Sequence, residues 1–239
     1  VSGEVRVAKP LEINFESNAS YSLTVQAADG NGGVDTATIA FSVNDLNETP
    51  TANNAVFAVG EDATSGTSVG IITGSDPDAG DTQTWSILSG NTGGEFSLNA
   101  ATGELSVASP STLDFETTPT YTLNVQIQDA GGLTDSAVVV VNVSNVNDDP
   151  TTTGLSDVAV NEDSADVIID LKTAFSDAET PSAALSYAIV GNSNPALFNG
   201  TPIVGGNLVL KFASNANGNA IVAVAGSGGL IPNSCFSGL

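Results

Sequence analysis

Apolar and polar residues alternate with a period of two over long stretches of the chain. Tyr121, Leu123, Val125 and Ile127 are interleaved with Thr122, Asn124, Gln126 and Gln128, and Ile39, Phe41 and Val43 with Ala40 and Ser42. A period of two places one set of side chains on each face of a strand, so these segments predict half-buried strands of antiparallel sheets. Turn-forming clusters at Asp29-Gly-Asn-Gly-Gly33, Ala101-Thr-Gly103 and Asp129-Ala-Gly-Gly132 separate them. Short strands with such punctuation predict an all-β protein. The flanks of Trp85, Thr84 and Ser86 followed by Ile87, favour a core position for the indole.

The pattern repeats. Phe15-Glu16, Tyr21, Leu23, Val25-Gln26, Asp29, Gly32, Asp35, Ala37, Val43, Asn47 and Pro50 recur about one hundred residues later as Phe115-Glu116, Tyr121, Leu123, Val125-Gln126, Asp129, Gly132, Asp135, Ala137, Val143, Asn147 and Pro150. Gly3-Glu4 recurs as Gly103-Glu104 and Val7-Ala8 as Val107-Ala108. The expected organisation is the C-terminal part of a repeat at 1–50, a complete repeat at 51–150, and a degenerate or truncated repeat at 151–239. The third opens with Val160-Asn-Glu-Asp163, echoing Val59-Gly-Glu-Asp62. It keeps Ala220-Ile-Val-Ala-Val224 and Ser227-Gly-Gly-Leu230, similar to the strand and turn from Val125 to Leu133, but its expected last strand is missing. Units of about this length fit two-layer sandwiches.

Charge narrows the function. Lys and Arg total 4 against 27 Asp and Glu, a formal net charge of −23. Such a chain repels nucleic-acid phosphates and anionic bilayers, so nucleic acid is excluded as a partner. With no His and the single Cys235, zinc sites, histidine acid/base chemistry and an intrachain disulfide framework are absent. Oxygen ligands remain. No apolar run approaches the length of a membrane span, so this segment is not expected to insert in a bilayer. The absence of any Met suggests an internal fragment or processed product, with the anchor or export signal outside it.

Calcium takes six to eight hard oxygen ligands, which requires several carboxylates and amides to converge. Acidic and amide residues crowd the links Asn44-Asp45-Leu46-Asn47-Glu48-Thr49-Pro50 and Ser144-Asn145-Val146-Asn147-Asp148-Asp149-Pro150. Pro fixes the segment after each as extended, making a short stiff link. Upstream lie Asn14-Phe15-Glu16 and Asp114-Phe115-Glu116; downstream lie Asp76-Pro77-Asp78 and Asp177-Ala178-Glu179. In an extended segment carboxyls at i and i+2 point the same way, so each pair can face one ion. Asp76 does not open an EF-hand loop, because Ile87 stands at the twelfth position.

In this order and spacing, over residues 1 to 180, the motifs resemble the cadherin family. Its repeats carry an early Glu, an Asp-x-Asp, a Leu-Asp-x-Glu, a late Asp before a Gly turn and an Asp-x-Asn-Asp-x link. The resemblance implies tandem seven-stranded Greek-key β-sandwiches of immunoglobulin-like type, with Ca2+ at the junctions. By position, the first junction would use Asn14, Glu16, Asp45, Asn47 and Glu48 with Asp76, Asp78 and Asp129. The second would use Glu61, Asp114, Glu116, Asn145, Asn147, Asp148 and Asp149 with Asp177 and Glu179. Asn14, Glu48 and Thr49 stand where the family usually has Asp, Asp and Asn, and Asn145 where it has Asp, so weaker sites are expected, in the extracellular range of roughly 10⁻⁴ to 10⁻³ M. Gly226 replaces the late Asp of the third unit.

The implied function is adhesion at a cell surface or in the extracellular space, with ions rigidifying the array. Partners would be other copies of the same or a related surface protein, or extracellular polysaccharide. Repeated acidic pairs at successive boundaries do not suit a single active site, so no catalysis is expected. A carbohydrate-binding surface module is the alternative, with Trp85, Tyr21, Tyr121 and Tyr187 as stacking candidates; a passive spacer is a third reading. Asn18, Asn47, Asn142 and Asn199 head glycosylation sequons, and a glycan on Asn47 would conflict with a metal there. That conflict, the few Lys and the Gly/Ala/Thr/Asn-rich strands favour a bacterial source. Gly30-Asn-Gly-Gly-Val-Asp35 is read as a hairpin turn and not as a calcium-binding nonapeptide.

Overall fold

The computed structural model describes residues 5–10, 13–110 and 113–227. The chain divides into two compact units, 1–145 and 146–239. Cys235 and the Gly228-Gly229-Leu230 turn lie outside the described residues.

The first unit begins with a hairpin of β1 (Ser20–Ala28) and β2 (Val34–Ser42). There follow β3 (Thr51–Ala52), β4 (Ala55–Gly60), β5 (Ser68–Ile71), β6 (Gly74–Ser75), β7 (Thr84–Ser89), β8 (Phe96–Leu98), β9 (Glu104–Val107), β10 (Thr120–Gln128) and β11 (Thr134–Ser144). From β4 onward these form a sandwich. One sheet has the order β4-β11-β10-β7 and the other β5-β9-β8, with β3 and β6 as a short extra pair. Strand β4 runs parallel to β11, from Val139 opposite Ala55 to Ser144 opposite Gly60, while β10 is antiparallel to β11 and to β7. The parallel pair joins strands distant in sequence, which is what makes the topology more than a meander.

The alternation foreseen in β10 is realised: Tyr121, Leu123, Val125 and Ile127 are buried, as are Ala137, Val139, Val141 and Val143 of β11. Trp85 of β7, Phe96, Leu105 and Val107 complete the core, and Phe96 meets Tyr121 edge-on at 5.2 Å between ring centroids. The hairpin β1–β2 has the same register, with Tyr21 opposite Phe41 as Tyr121 is opposite Val141. Its apolar face has a different fate. Leu23 and Val25 are 42% and 45% exposed where Leu123 and Val125 are 0% exposed. Sequence supplies the alternation in both hairpins, but only in the second does a facing sheet cover it.

The second unit contains β12 (Thr151–Thr152), β13 (Val167–Asp170), β14 (Phe175–Ser176), β15 (Ser186–Asn192), β16 (Phe198–Gly200), β17 (Ile203–Val204), β18 (Asn207–Phe212) and β19 (Val222–Ser227). One sheet runs β13-β18-β16, β17 adds to β18, and β15 pairs with β19. Its core joins Leu171, Phe175, Leu185, Leu208, Leu210 and Val224. Two features depart from the first unit. Residues 153–161 are not in a strand, although they correspond to β4. Strand β4 owes its pairing to β11, and the described residues of the second unit contain no counterpart of β11. Strand β19 begins at Val222 and runs on through Gly226, which stands opposite Tyr187.

These burial differences predict unequal costs for one substitution in two equivalent strands. Leu123→Ala should destabilise the first unit by about 2–5 kcal/mol, and Leu23→Ala by about 0.5 kcal/mol or less, in urea denaturation of the full chain.

Candidate metal centre

The link between β2 and β3 is where acidic side chains from distant segments meet. Residues 14–18 form a turn in which Asn14 Oδ1 accepts from Ser17 N at 2.7 Å and Asn14 O from Asn18 N at 3.0 Å. This turn sets the direction of Glu16. The second copy is built alike: Asp114 accepts from Thr117 N and Oγ1, both at 2.9 Å, and fixes the turn carrying Glu116. These hydrogen bonds lower the pKa of Asp114, the Thr117 hydroxyl having the largest effect. Asn14 and Asp114 thus shape the loops that present their neighbouring glutamates.

Downstream, Asp76 and Asp78 follow the short β6. Asp76 Oδ1 accepts from Asp78 N at 2.9 Å, an Asx-type turn, and Asp78 Oδ2 accepts from Glu48 N at 2.9 Å. That second bond ties the link to the repeat that follows it. Glu16, Asp45, Glu48 and Asp78 each bring a carboxylate oxygen within 4.8 Å of the others. Burial raises the pKa of Asp45, reinforced by the charges of Asp78 and Glu16, and burial raises that of Glu48, reinforced by Glu16 and Asp78.

Beside this group lies a second, made of Asp76, Asp81 and Asp129. Asp129 is only 6% exposed. Its Oδ1 accepts from Leu133 N at 2.7 Å, fixing it in the β10–β11 turn, and its Oδ2 accepts from Asn47 Nδ2 at 2.8 Å. Asp81 accepts from Ala130 N at 3.4 Å. Asp81 was absent from the residues expected from sequence, because attention to Asp-x-Asp pairs passes over a third acid in the same loop. Its signal was available as the carboxylate closing Asp76-Pro-Asp-Ala-Gly-Asp81.

A cation fits these groups, and the observation that tests the fit is their unsatisfied oxygens. Glu48 Oε2 and Asp76 Oδ2 are buried without a hydrogen-bond partner. A buried carboxylate oxygen left so is costly unless a positive charge stands nearby. The donor set is all oxygen, at separations that a calcium coordination shell spans, and calcium would supply charge neutralisation and coordination there.

The remaining expected ligands fall into two groups. In the first unit, Glu61, Asp114 and Glu116 bring oxygens within 4.8 Å of one another; Glu61 Oε2 accepts from Phe115 N at 2.7 Å, and Glu116 Oε1 accepts from Asn145 Nδ2 at 2.6 Å. In the second unit, Asp177 Oδ1 accepts from Glu179 N and Thr180 N, and Glu179 Oε2 from Asp148 N at 3.3 Å. Asn147 donates to the carbonyl of Asp148, and Asp149 lies next to Pro150 in the same link. Asp177 Oδ2 and Glu179 Oε1 are again buried without a partner.

The rival features resolve differently. Trp85 and Tyr121 are core residues, and Tyr187 donates its hydroxyl to Ser182 O at 2.8 Å. The Gly30–Asp35 segment is the β1–β2 turn, in which Asp29 Oδ1 accepts from Asn31 N and Gly33 N. No helix among the described residues is long and apolar enough to cross a membrane.

Comparison with known proteins agrees with this geometry. The family described as "Cadherin domain" matches residues 55–144. Cadherin EGF LAG seven-pass G-type receptor 2 of Homo sapiens is 41% identical over 161 residues, covering 62% of this chain and 5% of that protein. Protocadherin Fat 4 of Mus musculus is 33% identical over 220 residues, covering 83% of this chain and 4% of that protein. The chain therefore spans about a twentieth of these relatives. Among solved structures, PcdhgB3 EC1-4 has a TM-score of 0.64 at 23% identity, over 90% of this chain and 55% of that one. Mouse Cadherin-23 EC22-24 has a TM-score of 0.57 at 24% identity, over 90% and 72%. At these identities the structures establish the all-β tandem fold. The sequence relatives named are animal proteins and give the expected bacterial source no support. Cadherin domains are not catalytic, and the chain is not an enzyme. Residues 55–144 form a cadherin domain, and the chain is built of cadherin repeats related to those of the seven-pass receptors and the Fat protocadherins.

Proposed function

We propose that this chain is a calcium-dependent adhesion segment of an extracellular cadherin array, in which ions at the link between repeats hold successive repeats at a fixed angle. The observation that carries this reading is the set Glu16, Asp45, Glu48 and Asp78, drawn together across a link with Glu48 Oε2 buried and unpaired. Asp76, Asp81 and Asp129, with Asn47, serve a neighbouring ion. Glu61, Asp114, Glu116 and Asn145 in one unit and Asn147, Asp148, Asp149, Asp177 and Glu179 in the other are read, on their order in the sequence, as ligands of the same kind. The division into a partial repeat at 1–50, a complete one at 51–150 and a degenerate one at 151–239 belongs to the same proposal.

Without calcium, like charges crowd the link; with it, the same groups become ligands and the link stiffens. Stiff extension lets the faces of an array meet another surface, and the partners proposed are copies of the same or a related cadherin. Polysaccharide recognition has less support, because two of the four aromatic candidates, Trp85 and Tyr121, are buried in the core.

Calorimetric titration of the full chain should give calcium binding at millimolar or lower concentration, with loss of binding at the first link in Glu48→Ala/Asp78→Ala. Calcium at ten times its dissociation constant should add about 1.4 kcal/mol per site to stability. Absence of heat in the wild type would reject the reading.

Protons should oppose calcium. In calcium-free protein the raised pKa values of Asp45 and Glu48 mean that the folded state binds protons more tightly than the unfolded chain. Their contribution to stability is therefore present at low pH and lost as pH rises through those raised values. Melting temperature in calcium-free buffer should rise on going from pH 7 to about pH 5, and Glu48→Gln should flatten that rise. Below the ordinary carboxylate range the sign reverses, since Asp114, Asp135 and Asp170 have lowered values and lose their stabilising bonds on protonation. Calcium affinity should fall over the same pH 7 to about pH 5 interval, because an ion needs these ligands deprotonated.

A further inference from the structure

We infer that Gly131 is a positioning residue for the ion site at the first link: by lacking a side chain it makes the slot in which the Asn47 amide is seated against Asp129. This inference rests on the calcium reading above and deepens it. Asn47 belongs to the link that leaves the first repeat, whereas Asp129 and Gly131 belong to the β10–β11 turn of the next. The amide donates from Nδ2 to Asp129 Oδ2 at 2.8 Å and to Glu48 O at 3.2 Å. A Cβ on Gly131 would collide with Oδ1 and Cγ of Asn47 and come within 2.7 Å of Nδ2. The whole amide group therefore lies against the bare Cα of residue 131.

The reason for glycine here is space and not backbone conformation. Neighbouring Gly132 has φ +93°, in the left-handed region that disfavours side chains, but Gly131 does not. Alanine at 131 is thus compatible with the backbone of the turn, and its nearest conflicts are all with Asn47. The collision cannot be relieved by the far end of a long side chain, because Asn47 is short and tethered through Glu48 N to Asp78 Oδ2. Displacing it breaks the bond that directs Asp129, the most buried acid of the Asp76, Asp81 and Asp129 group. The position equivalent to 131 in the first repeat is Asn31, in a turn where Asp29 Oδ1 accepts from Asn31 N and Gly33 N.

The test is a double-mutant cycle on the full chain, with calcium titrated calorimetrically into wild type, Gly131→Ala, Asn47→Ala and the double variant, and the melting temperature of each measured without calcium. The expected result is calcium affinity at the first link roughly tenfold or more weaker in Gly131→Ala, the size seen when support of a metal ligand is lost. Its calcium-free melting temperature should fall no further than that of Asn47→Ala, which loses the same bond to Asp129, and Gly131→Ala should add nothing in the Asn47→Ala background. Gly131→Asn, copying the first repeat, should behave as Gly131→Ala. Unchanged affinity in Gly131→Ala, an equal loss with and without Asn47, or a calcium-free melting temperature below that of Asn47→Ala would each overturn the role given to Gly131 while leaving the calcium reading intact. A wild-type chain that takes up no calcium would overturn the calcium reading, and this inference with it.

Discussion

Crowded carboxylates without enough cations to answer them are the constraint on which the rest of this molecule depends. The chain has 4 basic residues against 27 acidic ones. Two short-range ion pairs, Lys172 with Asp170 and Lys211 with Asp166, already use two of the four, both in the second unit. Four cations cannot neutralise 27 carboxylates, so most of the acidic charge must be answered from solution. Repulsion at the first link is avoidable in sequence space, since amides would fill the same volume. Its presence at a link, with buried oxygens left unpaired, makes sense when neutralisation comes from solution.

The sandwich explains how such a cluster is held. Its core of Leu123, Val125, Ile127, Val139 and Val141 is fully buried, so strands β10 and β11 fix the turn that carries Asp129. The short pair β3–β6 puts the link's exit beside the Asp76–Asp78 segment, and Ala52 N donates to Asp135 Oδ2 at 2.9 Å, tying the same exit to β11. Hydrophobic burial thus provides a rigid frame, and the charged loops spend that rigidity on a local arrangement that would be unfavourable alone. Backbone N–H groups donate to Asp76, Asp78, Asp114 and Asp129 and orient each carboxylate, and Asp76 Oδ2 is left buried without a partner.

Much of this was legible in the residues because the chain contains its own comparison. The period of two in Tyr121 to Ile127 predicted the buried face of β10, and Trp85 fell in the core as its neighbours implied. The order of acidic motifs brought Glu16, Asp45, Glu48 and Asp78 to one place, although alternation alone gives no distances between loops. Other features depended on contacts invisible to a linear reading. Identical alternation in β1 and β10 led to exposed Leu23 and buried Leu123, because burial belongs to the covering sheet and not to the strand. The segment 153–161 has a β4-like sequence yet lies outside any strand, because parallel pairing needs its distant partner. Asp81 escaped notice because it reaches the site through a loop of its own, and Glu95, an acid buried against the core edge, had no motif to mark it.

The most direct test of the account is a crystal structure of the chain grown in millimolar calcium, read at the first link. The account predicts calcium at about 2.3–2.6 Å from carboxylate oxygens of Glu16, Glu48 and Asp78. A link that holds only water in saturating calcium, with Glu48 Oε2 still unpaired, would contradict it.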